Sequence, residues 1–267
     1  MPALTAQLGP GSSIKDLLDQ TMAQVRKEPA AVKHRISLFQ LLSINGMWEK
    51  ALTQLGVLSD LDKESESMVG AYREVLKCEM LRVEVFAGKR TPLFIGEPED
   101  WSARLMEALR AGAGGKHVEA AELRAAAFEA APARSGSING EAFEWIADAD
   151  VRLGPVVEAV VSGKYYWIPF HRISGIEIEA PSDLRDMVWC PAVFTFVGGG
   201  EQVGFIPTRY PDSEKSADEA IRLARKTEWT DLGSENYTGL GQRMLATDGG
   251  DFALLDVRSI KFDAEAD

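Results

Sequence analysis

Apolar side chains recur every three to four residues through the first half of the chain and every second residue through much of the rest, and this change of period divides the sequence. Ile14, Leu17, Leu18 and Val25 stand at helical spacing, with Ser13 and Asp16 placed like a capping box and Pro29 as a stop. A second helix is predicted over 30–44, with Ile36, Phe39 and Leu42 among its apolar positions and Asn45-Gly46 as a left-handed cap. Trp48, Leu52 and Leu55 carry a third. Met68, Tyr72, Val75, Leu76, Met80, Val83 and Phe86 hold one face of a long fourth. Short connections imply antiparallel neighbours, so these four read as two stacked hairpins of the tetratricopeptide kind. Pro98 is expected to open a further helix through Trp101, Leu105 and Leu109, and 118–130 to form another before Pro132.

From about residue 133 the pattern turns to strands and hairpins: GKYYWIPF, GIEIEAP, AVFTFVGGGEQVGFIP and MLATDGGDFALLDV alternate or run apolar, with glycines where tight turns need positive φ. One short helix, ADEAIRLAR, follows Ser216 and is expected to be capped by Ser216 with Glu219. The fold class is therefore α+β. All-helical, tetratricopeptide-like hairpins over 12–131 precede a mainly antiparallel β-rich unit over 132–267.

A formal charge of −12, with lysines and arginines scattered, excludes nucleic acid and anionic membrane as expected partners and favours a basic or apolar protein surface. No apolar run approaches the ~20 residues that span a bilayer, and MPALTAQLGPGSS has no basic segment followed by an apolar one, so a cytoplasmic location is expected. Cys78 and Cys190 are far apart and read as small buried side chains. No metal or cofactor is expected: His34, His117 and His171 are scattered, and GLGQRM, at 239–244, lacks the third glycine of a dinucleotide loop and reads as a plain turn.

The candidates for chemistry are clusters of acids and arginines: Asp148, Asp150 and Arg152 in DADVRLGP, Asp183, Arg185 and Asp186 in PSDLRDM, Arg209 and Tyr210 in PTRYP, and Arg225, Glu228 and Trp229 in RKTEW. Two readings stay open. Paired carboxylates beside Trp145, Trp167 and Trp189 would describe a glycosidase-like hydrolase. Alternatively, arginine forks pair with carboxylates and turn backbones to fasten the chain at its proline and glycine bends. The second reading suits the placement of each cluster beside such a bend.

Longer phrases carry more than periodicity does: HRISLFQLLSINGMWEKALTQL, YREVLKCEMLRVEVFAGKRTPLFIGEPEDW, LRAAAFEAAPARSGSINGEAFEWIADADVRLGP, YYWIPF, PSDLRDMVWCPA, IPTRYP and KTEWTDLGSENYTGLGQRML. In this order they resemble the ImpE/SciE family, also called TagJ, accessory proteins of bacterial type VI secretion systems, along nearly the whole chain from Ile14. The resemblance implies a cytoplasmic, non-catalytic protein with a tetratricopeptide-like first half and a family-specific second half. It further implies a partner, the amino-terminal helix of the small contractile-sheath subunit, and an indirect link to sheath disassembly by a ClpV-type ATPase. It supplies no catalytic residues. Asp148, Asp150, Arg152, Asp183, Arg185, Asp186 and Arg209 match as motif positions without an assigned role, and Trp189 is kept with them as a structural or interaction candidate. The first dozen residues and GAGGKH, 112–117, are individual to this chain.

Overall fold

The computed structural model describes residues 13–97, 99–233 and 236–264. Helices α1 (Ile14–Lys27), α2 (Val32–Ile44), α3 (Trp48–Leu61) and α4 (Glu66–Phe86) form where helical spacing predicts them, each packed on the next. Gly46 takes φ +67° just past α2, as a left-handed cap requires. Pro98 lies outside the described residues. Beyond it come α5 (Asp100–Ala113) and α6 (His117–Ala130), which pack chiefly on each other.

Two sequence expectations are corrected here. Val83, expected on the inner face of α4, is 43% exposed, and that face carries Glu79 and Arg82 instead. Glu219 does not cap its own short helix α7 (Glu219–Arg222), which takes Asp218 as its cap through the Ala220 amide at 2.8 Å. Glu219 reaches α1 instead, where its Oε1 accepts from the Ser13 hydroxyl at 3.1 Å and the Ile14 amide at 3.0 Å. A carboxylate at a helix amino terminus satisfies amides that have no partner within the helix.

The strands are β1 (Leu93–Phe94), β2 (Gly136–Ile138), β3 (Glu141–Phe143), β4 (Ile146–Asp148), β5 (Val156–Val161), β6 (Lys164–Pro169) and β7 (Ile173–Ile178). They continue as β8 (Trp189–Phe196), β9 (Glu201–Pro207), β10 (Thr227–Asp231), β11 (Tyr237–Gly241), β12 (Met244–Thr247), β13 (Gly250–Ala253) and β14 (Ser259–Phe262). Nine of them form one sheet in the order β1-β6-β5-β9-β8-β7-β14-β2-β3, antiparallel except for β1 on β6. A β10-β11 hairpin and a β13-β12-β4 sheet complete the second half, and the architecture is α+β.

The period of two along β5 sorts its side chains between two cores. Val156 and Val160 join α1 to α5, Tyr165, Trp167 and Trp189 in a core between helices and sheet. Val157, Ala159 and Val161 join a second core with Ile176, Phe194, Leu245 and Ile260. Strand β6 ends at Pro169 and β7 begins at Ile173 although β5, β9 and β8 lie between them in the sheet order, so the sheet coils around this second core. Glu158 has the parity of Val156 and Val160. It therefore enters the helix-facing core, completely buried.

Candidate functional site

The segment DADVRLGP is a chain reversal held by its own acids. The Asp148 side chain accepts from the Asp150 amide at 2.9 Å, the Asp150 side chain accepts from the Arg152 amide at 2.9 Å, and the Asp148 amide donates to the Gly154 carbonyl at 2.7 Å. Aspartate side chains satisfy turn amides two residues on in this way. Gly154 sits at φ +53° with the Phe128 ring so close that a Cβ would approach it to 2.3 Å, so no larger residue fits.

From this turn a chain of buried charges runs into the helices. Asp148 accepts from the Tyr210 hydroxyl at 3.0 Å and from Arg243 Nη1, and Arg243 Nη2 donates to Glu158. Glu158 also accepts from Arg82 Nε at 2.6 Å, from Arg82 Nη2 at 3.0 Å and from the Tyr165 hydroxyl, which itself accepts from Trp167 Nε1 at 2.7 Å. Arg82 donates to Glu79 at 3.1 Å and to the Arg209 carbonyl at 2.9 Å, and Glu79 accepts from Trp189 Nε1 at 2.9 Å. Beside it, Asp150 accepts from Arg152 Nε at 2.9 Å and from the Gly239 amide at 2.8 Å. Arg209 is turned the other way: its Nη1 donates to the Ile44 carbonyl at the end of α2, at 2.9 Å, and to the Arg222 carbonyl at the end of α7. It thus caps two helices with one guanidinium.

Electrostatics follow from burial and pairing. Burial pushes the Glu158 carboxyl up, but Arg82 and Arg243 more than offset this and hold it at about 2. Burial pushes Asp148 up to about 6, because Arg243 offsets it only partly and the neighbouring Asp150 adds repulsion. Burial lowers Arg209 to about 10. The four carboxylates Glu79, Asp148, Asp150 and Glu158 and the four guanidinium groups of Arg82, Arg152, Arg209 and Arg243 are thus matched in number, which is how charges persist away from water.

Asp183, Arg185 and Asp186 lie in a separate cluster. Asp186 Oδ2 accepts from the Ser182 and Asp183 amides, both at 2.8 Å, and Asp183 caps the following single turn, Leu184–Met187. Arg185 pairs with Asp183 at 3.0 Å and lies over the Tyr72 ring. Trp189 is fully buried, its ring 5.9 Å from both Trp48 and Tyr72. The three indoles of the glycosidase-like reading do not converge, since Trp167 and Trp189 are internal and Trp145 is exposed.

Glycosidic acid–base chemistry needs two carboxyl groups facing each other across an open cleft. Asp148 and Asp150 instead turn inward, bonded to arginine, tyrosine and main-chain amides. Among the described residues no group of His, Cys, Asp and Glu side chains is arranged to hold a metal ion. Sequence reasoning missed Glu79, Arg82, Glu158, Tyr165 and Arg243, whereas Tyr210, singled out beside Arg209, does join the network through Asp148. The signals were there: two charges on the inner face of α4, one acid inside the apolar run VVEAVV, and an arginine in GLGQRM, which is no plain turn. There Gly239 lets β11 approach Tyr210, where a Cβ would come within 2.2 Å of the ring, and Arg243 ties the turn to the strands.

Asp148, Asp150, Glu158, Arg209 and Arg243 are thus buried and bonded within the fold, while the Asp183–Arg185 pair stays partly exposed. The model of the ImpE protein family matches residues 140–261, which include Asp148, Asp150, Arg152, Glu158, Arg209 and Arg243. Over 94% of this chain and 88% of the relative, the sequence is 46% identical to the type VI secretion system accessory component TagJ of Pseudomonas aeruginosa. A Vibrio parahaemolyticus protein solved by X-ray crystallography has the same fold, with a TM-score of 0.86 over 94% of each chain at 25% identity.

Proposed function

The chain belongs to the ImpE family, and from that membership we propose that it is a non-enzymatic accessory protein of a bacterial type VI secretion system. In this reading it holds the amphipathic amino-terminal helix of the small contractile-sheath subunit, and through that contact it bears indirectly on sheath disassembly by a ClpV-type ATPase. The tetratricopeptide-like helices, 12–131, supply the binding surface, the β-rich unit, 132–267, supplies the scaffold, and the setting is the cytoplasm. No described helix is long and apolar enough to cross a membrane.

The observation that carries this reading is the 46% identity to an accessory component along 94% of the chain. Its non-catalytic part is supported by the engagement of every carboxylate in the Asp148–Asp150 and Asp183–Asp186 clusters by arginines or amides. The test is a calorimetric titration of the full chain with a peptide of the sheath subunit's amino-terminal helix. Saturable binding is the expected result; an absence of heat together with no co-purification of the intact subunit overturns the reading.

A further inference from the structure

Helices α5 and α6 pack chiefly on each other, and along them runs an open groove of about 630 Å³. Its floor is small and apolar, with Ala111, Leu123 and Ala126. Its walls differ in sign. On α5, Arg104 and Arg110 flank Glu107; on α6, Glu119 and Glu122 follow one another, with Lys116 at the entrance paired to Glu119 at 2.9 Å. Among the described residues Arg104, Glu107, Arg110 and Glu122 form no ion pair, whereas Arg82, Asp148, Glu158 and Arg243 of the inner seam are paired. Val118 lies one turn before Glu122 on the same helix and is the most exposed large apolar side chain described, at 72%.

An apolar floor between a net basic wall and a net acidic wall is the complement of one particular shape. A helix with an apolar stripe, acidic side chains along one flank and basic ones along the other would seat the stripe on Leu123 and place each flank against the opposite charge. The lining runs from Arg104 to Gly114 on one side and from Lys116 to Ala126 on the other, about 15 Å of helix, so the groove takes about three turns. The two-signed walls also set the direction of the bound helix, because reversing it would bring like charges together.

We propose that the α5–α6 groove is the docking site of this protein for an amphipathic helix of a partner, held in one orientation by Arg104 and Arg110 on one side and Glu119 and Glu122 on the other. This rests on the helix-binding reading of the previous subsection and adds the surface and the orientation. The experiment titrates the sheath-subunit helix peptide into the full chain and into three variants: Arg104→Glu with Arg110→Glu, Glu119→Lys with Glu122→Lys, and Val118→Glu. All five positions are exposed, so circular dichroism and the melting midpoint should match the parent. Each variant is expected to bind at least tenfold more weakly, whereas Val203→Ser, at an equally exposed valine on β9, binds like the parent. Binding by the parent that all three groove variants retain overturns the groove assignment and leaves the accessory reading standing. No binding by the parent overturns both. A dimer of this chain that the groove variants dissolve also overturns the proposal, since the groove would then be filled by a second copy.

Discussion

The two cores on either side of β5 are built on different principles from neighbouring residues of one strand. The core enclosed by the coiled sheet is packed from apolar side chains, Val157, Ala159, Ile176, Phe194 and Ile260 among them. The core facing the helices holds aromatic rings of the same kind and, among them, Glu158, Arg82, Arg243 and Asp148. An apolar core rewards volume and tolerates shifts, because dispersion and burial have no direction. Paired charges reward one geometry. A slide of α4 along the sheet would break the two-pronged Arg82–Glu158 contact out of water, leaving Glu158 to Arg243 alone and Arg82 to Glu79, so the seam fixes where the helices sit as well as holding them there.

Four measurements would break or sharpen this contrast. The largest effect is expected at Arg243, whose removal leaves Asp148 and Glu158 without their shared cation. Arg243→Leu should lower the unfolding free energy by about 3–5 kcal/mol in denaturant titration, and a change below about 1 would mean the seam is not held by charge. Arg152 is less enclosed, its side chain 21% exposed against 0% for Asp150. Arg152→Ala should therefore destabilise by about 2–3 kcal/mol, since Asp150 keeps its amide donors but loses its charged one. In the apolar core, Ile176→Val removes only a methylene and should destabilise by about 0.5–1.5 kcal/mol. A larger loss there would show that the second core is as exacting as the first.

The smallest effect is the response to pH. Asp148 is raised to about 6 when folded, so between pH 7 and 5 the folded chain takes up a proton that the unfolded chain does not, and stability from this group increases as pH falls. Glu158 is depressed to about 2, so its contribution is complete above the ordinary glutamate value and is lost as pH falls through about 4 towards 2. Chemical denaturation at stepped pH should show both slopes. Asp148→Asn should flatten the first and leave the second; a first slope that survives this substitution assigns it to another group.

The contrast also explains what could be read from the residues alone. Helices α1 to α4 and the hairpin of β8 and β9 declare themselves through periods of 3.6 and two, and the turn of DADVRLGP through its glycine and proline, because each depends on neighbours along the chain. The seam does not. Arg82 and Glu158 are 76 residues apart and Glu158 and Arg243 are 85, so no local pattern names the partners. Only the misplaced charges were legible: Glu79 and Arg82 on an apolar helix face, and Glu158 amid valines. Glu219 illustrates the limit from the other side, since its spacing from Ser216 suits a local cap and the fold gives it to a helix more than two hundred residues away.

The guanidinium of Arg209 has a practical corollary. By gripping the last carbonyls of α2 and α7 from a position beside β9, it ties the chain together across the apparent boundary near residue 131. A fragment starting there would lose the carbonyl of Ile44 and the cation of Arg82 together, leaving Arg209 and Glu158 each short of one partner on a bare apolar sheet. Expressed alone, such a half is expected to precipitate, so dissection of this protein belongs to single substitutions rather than to truncation.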